Sequence, residues 1–317
     1  MNEKQIIHYI RRETSKCNRD NISRTNAYKT YYIDHPEIGW TYLANMVSRN
    51  AGWNMSDLWS KPFATLLNNE YRMQLFITYE RANWMIFSDA FPQLLVYKCS
   101  KRTGVPFFYL LKHFHVSSWM IAQWEMFWHT RNENQLLDAL IVNEQHLIQR
   151  PIINAPFFHK YTFKQFLYEW QERLHFSHVL LPTLNGRVFG RIVKNFTNVE
   201  KRIELGKQLS WILFKSKEKK EIKDYFLQSE YTGSRSDYQK FLREDLPYTP
   251  KLRIVYPFVH HEDEKREDWS QRCSYSPEYL LNKRFLRPKN GDITNWTIKK
   301  KQQLMIAAAI KQKLSSK

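Results

Sequence analysis

The stretch from His35 to Leu58 most restricts what this chain can fold into, because written as a helix it leaves no face for water. At about 100° per residue Trp40, Leu43, Ala44, Val47 and Ala51 fall on one side, while Ile38, Tyr42 and Met46 fall nearly opposite with Arg49 among them. A helix apolar all round belongs in an interior, so other elements must surround it. Arg49 is then either buried and paired, or its face receives a ligand.

The 317 residues suffice for such an interior, since a chain of this length buries roughly three quarters of its unfolded surface. With 43% hydrophobic residues, 20 Phe and 11 Trp against only 8 Gly, low complexity and a turn-rich sandwich or barrel are both disfavoured. Cys17, Cys99 and Cys273 are widely spaced and form no CxxC pair, which fits free thiols rather than a disulfide framework or a cysteine zinc cage. The run free of Asp, Glu, Lys and Arg from His113 to Trp124 falls short of the roughly 20 residues a membrane span needs. The expected location is the cytoplasm.

The net charge of +18 is unevenly placed, with about +4 in residues 1–150 and +14 in residues 151–317. A basic surface attracts anions without specificity, so nucleic acid and acidic membrane are admissible partners beside a merely solubilising role. This asymmetry suggests an aromatic-rich helical unit over 1–150 and a basic, mainly helical second half over 151–317.

Helical periodicity dominates the chain. The spacing predicts helices over Asn21 to Ile33, from Pro36 to a C-terminal cap at Gly52, from Asp57 behind a Ser56 cap, and over Glu70 to Ser88, Phe91 to Arg102, Pro106 to Phe114, Val116 to His129 and Glu133 to Gln149. After a seam between Pro151 and Pro156, Phe163 to His178 reads as helical. Phe189, Ile192, Phe196, Val199, Ile203, Gly206, Leu209 and Leu213 then predict one long amphipathic helix, whose outer face carries Arg187, Arg191, Lys194, Lys201, Arg202 and Lys207. Pro247, Pro250 and Pro257 punctuate a short strand or extended strap near 247–262, and Thr294 to Leu314 is helical and lysine-rich. The fold expected is mainly α, a multi-helix orthogonal or bundle-like arrangement with that one irregular or short-strand segment.

Chemistry points first to Glu80. Met73, Phe76, Ile77, Trp84 and Phe87 form the apolar face of its helix, and Glu80 falls among them with Asn83 beside it. A carboxylate so placed is paired or has a raised pKa, and Arg24, Arg49 and Arg81 are its natural partners. Asp57 and Asp89 are candidates for the same network. Two readings stand: an ion-pair and amide network that orients helices, or a pocket in which Glu80 is a general base and Arg49 or Arg24 clamps an anionic substrate.

Other motifs weigh less. Glu125 with His129, and His175 with His178, have helical neighbour spacing, but neither HExxH nor a repeated ExxH follows, so no metal and no cofactor is expected. The run His260 to Glu264 reads as a solvated acidic loop. No GxxxxGK[ST], strand-borne GxGxxG or GxSxG is present, which disfavours nucleotide hydrolysis, dinucleotide chemistry and serine hydrolysis on standard folds. Cys99 between Lys98 and Lys101 reads as structural, and Trp119, Trp124 and Trp128 read as helix core before they read as a base-stacking platform.

Three passages carry a resemblance. They are Asn21-Ile-Ser-Arg-Thr25 with His35-Pro-Glu and Met46-Val-Ser-Arg-Asn50 through Leu58; Glu80-Arg-Ala-Asn-Trp through Leu95; and Phe114-His-Val-Ser with Asn143-Glu-Gln145. Together they resemble the uncharacterised Domain of Unknown Function 2515 family of low-GC Gram-positive bacteria, over most of the chain and most specifically in its first 150 residues. The resemblance implies a bacterial, cytosolic setting and carries no activity; its pattern includes Arg24, Arg49, Asn50, Glu80, Asn83 and Asp89. The combined expectation is a helical binding protein with a polar centre at Arg49 and Glu80 and a basic half that contacts nucleic acid or acidic membrane, or alternatively a hydrolase-like enzyme with Glu80 as base.

Overall fold

The computed structural model describes residues 2–153, 178–192, 195–242, 244, 246–261, 266–272, 276–288 and 291–315. Its first helices are α1 (Glu3–Cys17), α2 (Asn21–Asp34), α3 (Trp40–Asp57), α4 (Lys61–Leu66) and α5 (Asn69–Thr103), followed by a 3-10 segment, Phe108–Phe114. Then come α6 (Ser118–Thr130) and α7 (Glu133–Ile148), strands β1 (His178–Pro182) and β2 (Val188–Ile192), and helices α8 (Val199–Lys215) and α9 (Lys219–Gln228). Single turns α10 (Ser236–Gln239) and α11 (Leu252–Val255), the short α12 (Pro277–Asn282) and the terminal α13 (Thr294–Ser315) complete the order. The molecule is mainly α, with one two-stranded antiparallel sheet among the described residues.

Every residue of α3 except Val47 is buried, as its two-sided pattern requires. The helix runs down the middle of the fold and packs on α2, α5, α7, α8 and β1. One continuous apolar core gathers around it, drawing side chains from Ile6 to Leu304. The helix does not stop at Gly52; glycine stands there because Tyr231 and Asn21 hydrogen-bond against it, and any Cβ would overlap the Tyr231 hydroxyl. It also begins at Trp40 rather than Pro36, and Ser56 lies inside it, while Ser60 precedes α4.

The two helices expected over 70–88 and 91–102 are one, with Pro92 inside it. Proline denies Ser88 the usual i+4 donor, and Arg266 fills the gap: its Nη1 donates to Ser88 Oγ at 2.6 Å and its Nη2 to the Ser88 carbonyl at 3.4 Å. Pro106 to Phe114 tightens to a 3-10 segment over Phe108–Phe114, closed by His115 in the left-handed region.

The long helix expected from Phe189 to Leu213 is the principal correction. Its first part is β2, paired antiparallel with β1 through a turn at Leu184-Asn185-Gly186, and only Val199–Lys215 is helical. Asn-Gly between two apolar runs is the strongest short-range hairpin signal, and here it overrides apolar spacing that also fits a helix. Of the segment expected near 247–262, residues 247–261 are described and are irregular, with one helical turn at α11 in place of a strand. The helix expected over Phe163 to His178, along with His175, Cys273, Lys194 and the acidic residues Glu262 to Glu264, lies outside the described residues apart from His178 itself.

Candidate functional site

Glu80 sits in the middle of α5 with none of its surface exposed. It forms a buried ion pair with Arg24 from α2, and its Oε1 lies 3.1 Å from His261 Nε2. The His261 ring stacks on Trp84 one turn along α5, with centroids 4.7 Å apart. Arg24 also donates to Asn18 Oδ1 at 3.2 Å and to Tyr256 Oη at 3.4 Å. Burial alone would lower the Arg24 pKa, but the Glu80 charge alongside outweighs it and holds the guanidinium above its ordinary value. Of the three arginines that could have met Glu80, it is Arg24.

Among the described residues Arg49 meets no carboxylate. Its Nε donates to Asn45 Oδ1 at 3.0 Å and its Nη1 to Ser229 Oγ at 2.8 Å, while the guanidinium lies over the rings of Tyr225 and Tyr231 at 5.6 and 5.2 Å. The Arg49–Glu80 pairing is therefore corrected: α3 turns Arg49 toward α9 and the segment after it, where aromatic faces and a hydroxyl stabilise the cation.

Asp57 belongs to a third cluster. Its Oδ2 accepts from Arg235 Nε at 2.7 Å and from Lys301 Nζ at 2.8 Å, and Arg235 Nη2 also donates to Asn54 Oδ1 at 2.8 Å. Burial, with Arg235 nearby, draws the Lys301 ammonium down to about 8. Asp89 accepts from Gln93 at 2.7 Å and Asn143 at 2.8 Å, and burial raises its pKa against the pull of Arg266. Asn50 pins β1 to α3, accepting from the Leu180 N–H at 2.7 Å and donating to the Leu180 carbonyl at 2.8 Å. Asn83 donates to the Tyr79 carbonyl at 2.7 Å. The expected single centre is thus several separate buried networks strung along α3 and α5.

The expected basic face on α8 also changes. Arg202 and Lys207 point inward and are only 2% and 3% exposed. Arg202 donates to Gln145, Gln149 and the Phe196 carbonyl, and Lys207 to the carbonyls of Leu280 and Leu281 at 3.0 and 2.7 Å. Helix α12 covers that side of the bundle, so these cations fasten the second half to α7 and α12 instead of facing a partner. Arg187 is engaged with Asp292 at 3.3 Å, Lys201 with Glu204 at 3.0 Å, and Arg191 is partly buried.

What the outer surface does present is α13. Its 22 residues include five lysines and no acid, and on the side away from the core Ile306, Ile310 and Leu314 are 60%, 55% and 70% exposed. Buried Thr297, Lys301, Leu304 and Ala308 form the opposite face, which packs on α4. The helix is apolar on two sides, and only one is used. Among the described residues no three His, Cys, Asp or Glu side chains gather as a metal site, and no helix is long and apolar enough to cross a membrane.

Fold and networks define a mainly helical protein organised around a central helix with no solvent face, its buried charges satisfied from elements distant in sequence. The chain belongs to the family described as "Protein of unknown function (DUF2515)", which it matches over residues 16–298. It is 43% identical over 314 residues, 98% of this chain and 96% of the relative, to the uncharacterised protein YppC of Bacillus subtilis (strain 168). No solved structure matches it.

Proposed function

We propose that this is a cytoplasmic binding protein that docks on an anionic membrane surface through α13. The carrying observation is the exposed stripe of Ile306, Ile310 and Leu314 on an acid-free helix, flanked by exposed Lys299 and Lys313. A basic helix with a spare apolar face lies in the lipid interface with that face down. Two such lysines contribute about 1 kcal/mol each near an anionic leaflet.

The apolar stripe separates this reading from nucleic-acid binding, because isoleucines in the middle of a basic face gain nothing from a phosphate backbone. A second copy docking there would set lysines against lysines. The enzyme reading with Glu80 as base has less support, since a base must reach substrate and Glu80 is sealed within its ion pair.

Vesicle flotation tests the proposal. The protein should float with phosphatidylcholine vesicles containing phosphatidylglycerol but not with phosphatidylcholine alone, and Ile306→Ser/Ile310→Ser should reduce binding at least tenfold without lowering Tm. Equal binding by the double variant, salt-sensitive binding to duplex DNA in place of vesicles, or dimerisation through this face would each overturn it.

A further inference from the structure

A cavity of about 180 Å³ lies between α2, α3, α5, α7, β1 and α8, apart from the membrane-facing helix and from the sealed Glu80. Its wall surface is mostly apolar, with Leu43 and Val47 from α3, Ile86 from α5, Ile148 from α7, and Leu205 and Leu209 from α8. An apolar cavity of ~150 Å³ is enough to take benzene, so this one has room for a ring-sized body.

Polar groups converge at one part of it. Tyr28 and Arg24, 3% and 1% exposed, both line the cavity, and neither the Tyr28 hydroxyl nor Arg24 Nε has a hydrogen-bond partner among the described residues. The Tyr28 ring is held edge-on to Trp40 at 5.5 Å and against Phe87 at 5.1 Å, so its hydroxyl is not free to swing away. Trp40 Nε1 in turn donates to Glu144 Oε2 at 3.1 Å, which fixes that carboxyl at the cavity wall. Arg202 lines the same wall, and among the described residues its hydrogen bonds go to neutral oxygens, with no ion pair to Glu144.

Buried donors without acceptors are rare, because leaving them unmade costs the full desolvation of the group. A buried cation answered only by amides leaves a net positive field. Two idle donors and a guanidinium that holds no carboxylate directly among the described residues, beside apolar walls, fit an acceptor that carries negative charge on an apolar body.

We propose that this cavity binds a small carboxylic acid with a ring-sized apolar body, its carboxyl held by Tyr28, Arg24 and Arg202 beside Glu144. Burial supports the arrangement by pushing the Glu144 carboxyl up to about 7, so that next to a ligand carboxylate it can hold a proton and donate rather than repel.

Isothermal titration of the full chain with benzoate and cyclohexanecarboxylate, and with benzamide as the uncharged control, tests this. One equivalent of acid should bind, at least tenfold more tightly than benzamide. Tyr28→Phe should weaken benzoate at least fivefold with Tm unchanged, because that hydroxyl has no partner among the described residues to lose. Val47→Phe, at the one partly exposed position of α3, should fill the cavity and abolish binding; if that variant does not fold, Tyr28→Phe decides alone. Absence of saturable heat with both acids, benzamide binding as tightly as benzoate, or unaltered affinity in Tyr28→Phe would overturn the proposal.

Discussion

Arg24 and Glu80 meet where neither has water, so each stabilises the molecule only while the other is present. Removing one partner of such a pair costs about 3–5 kcal/mol, whereas replacing both by apolar residues of similar size is often close to neutral. Glu80→Gln should therefore lower Tm sharply in a thermal melt, and Arg24→Met/Glu80→Met should recover much of the loss; a double variant as unstable as the single would refute a purely structural pair. Glu144 makes a pH-dependent claim. Its folded value near 7 lies above the ordinary 4.5, because burial opposes the charge. Such a carboxyl contributes no penalty below pH 4.5 and destabilises progressively as pH rises through 7. Neighbouring His146, drawn down to about 4 by burial with Arg202 adding to it, acts in the opposite sense, its penalty easing between pH 4 and 6.5. Urea titrations should show Glu144→Gln matching the parent near pH 4.5 and exceeding it by about 3 kcal/mol at pH 8. A difference that does not vary with pH would contradict this. At this scale the burial of Glu80 was readable from the apolar stripe around it. The same logic applies to Glu144, which follows Leu137 and Leu140 at helical spacing.

Most helices of the first 150 residues could be read from their periodicity, because burial on one or two faces imposes it directly. The errors came where backbone chemistry and side-chain spacing disagreed. Two helices are expected over 70–102 where there is one, because Arg266, 178 residues away from Ser88, satisfies the carbonyl that Pro92 leaves free. The apolar residues from Phe189 to Leu213 fitted one helix, but Asn185-Gly186 had already set a hairpin. That turn bears its own prediction. Gly186 sits at φ +85°, and a Cβ there would run into the Phe241 carbonyl, whereas Gly104 at φ +73° ends α5 with nothing within 4 Å of a Cβ. Gly104→Ala should cost about 1 kcal/mol, the conformational penalty alone. Gly186→Ala should cost clearly more, with both read from chemical denaturation midpoints. Equal losses would mean that the hairpin gives way freely.

For the molecule as a whole, the partner of Arg49 could not be read locally. The carboxylate expected nearby is replaced by Ser229, Tyr225 and Tyr231, which no periodicity in α3 can announce. The basic second half was legible as charge but not as surface, because charge counting cannot tell a lysine that holds α12 from one that faces a partner. Asp57 has the most far-reaching consequence. Its two cations come from Arg235 and from Lys301, which lies 244 residues further along the chain. At roughly 5–20 residues per second of synthesis, ten seconds or more separate the emergence of Asp57 from that of Lys301. Throughout that interval the central helix can be formed but not sealed. The order in which the chain is made therefore forbids early closure of its own middle, and a helix made more than two hundred residues after Asp57 is the one that locks the first half shut.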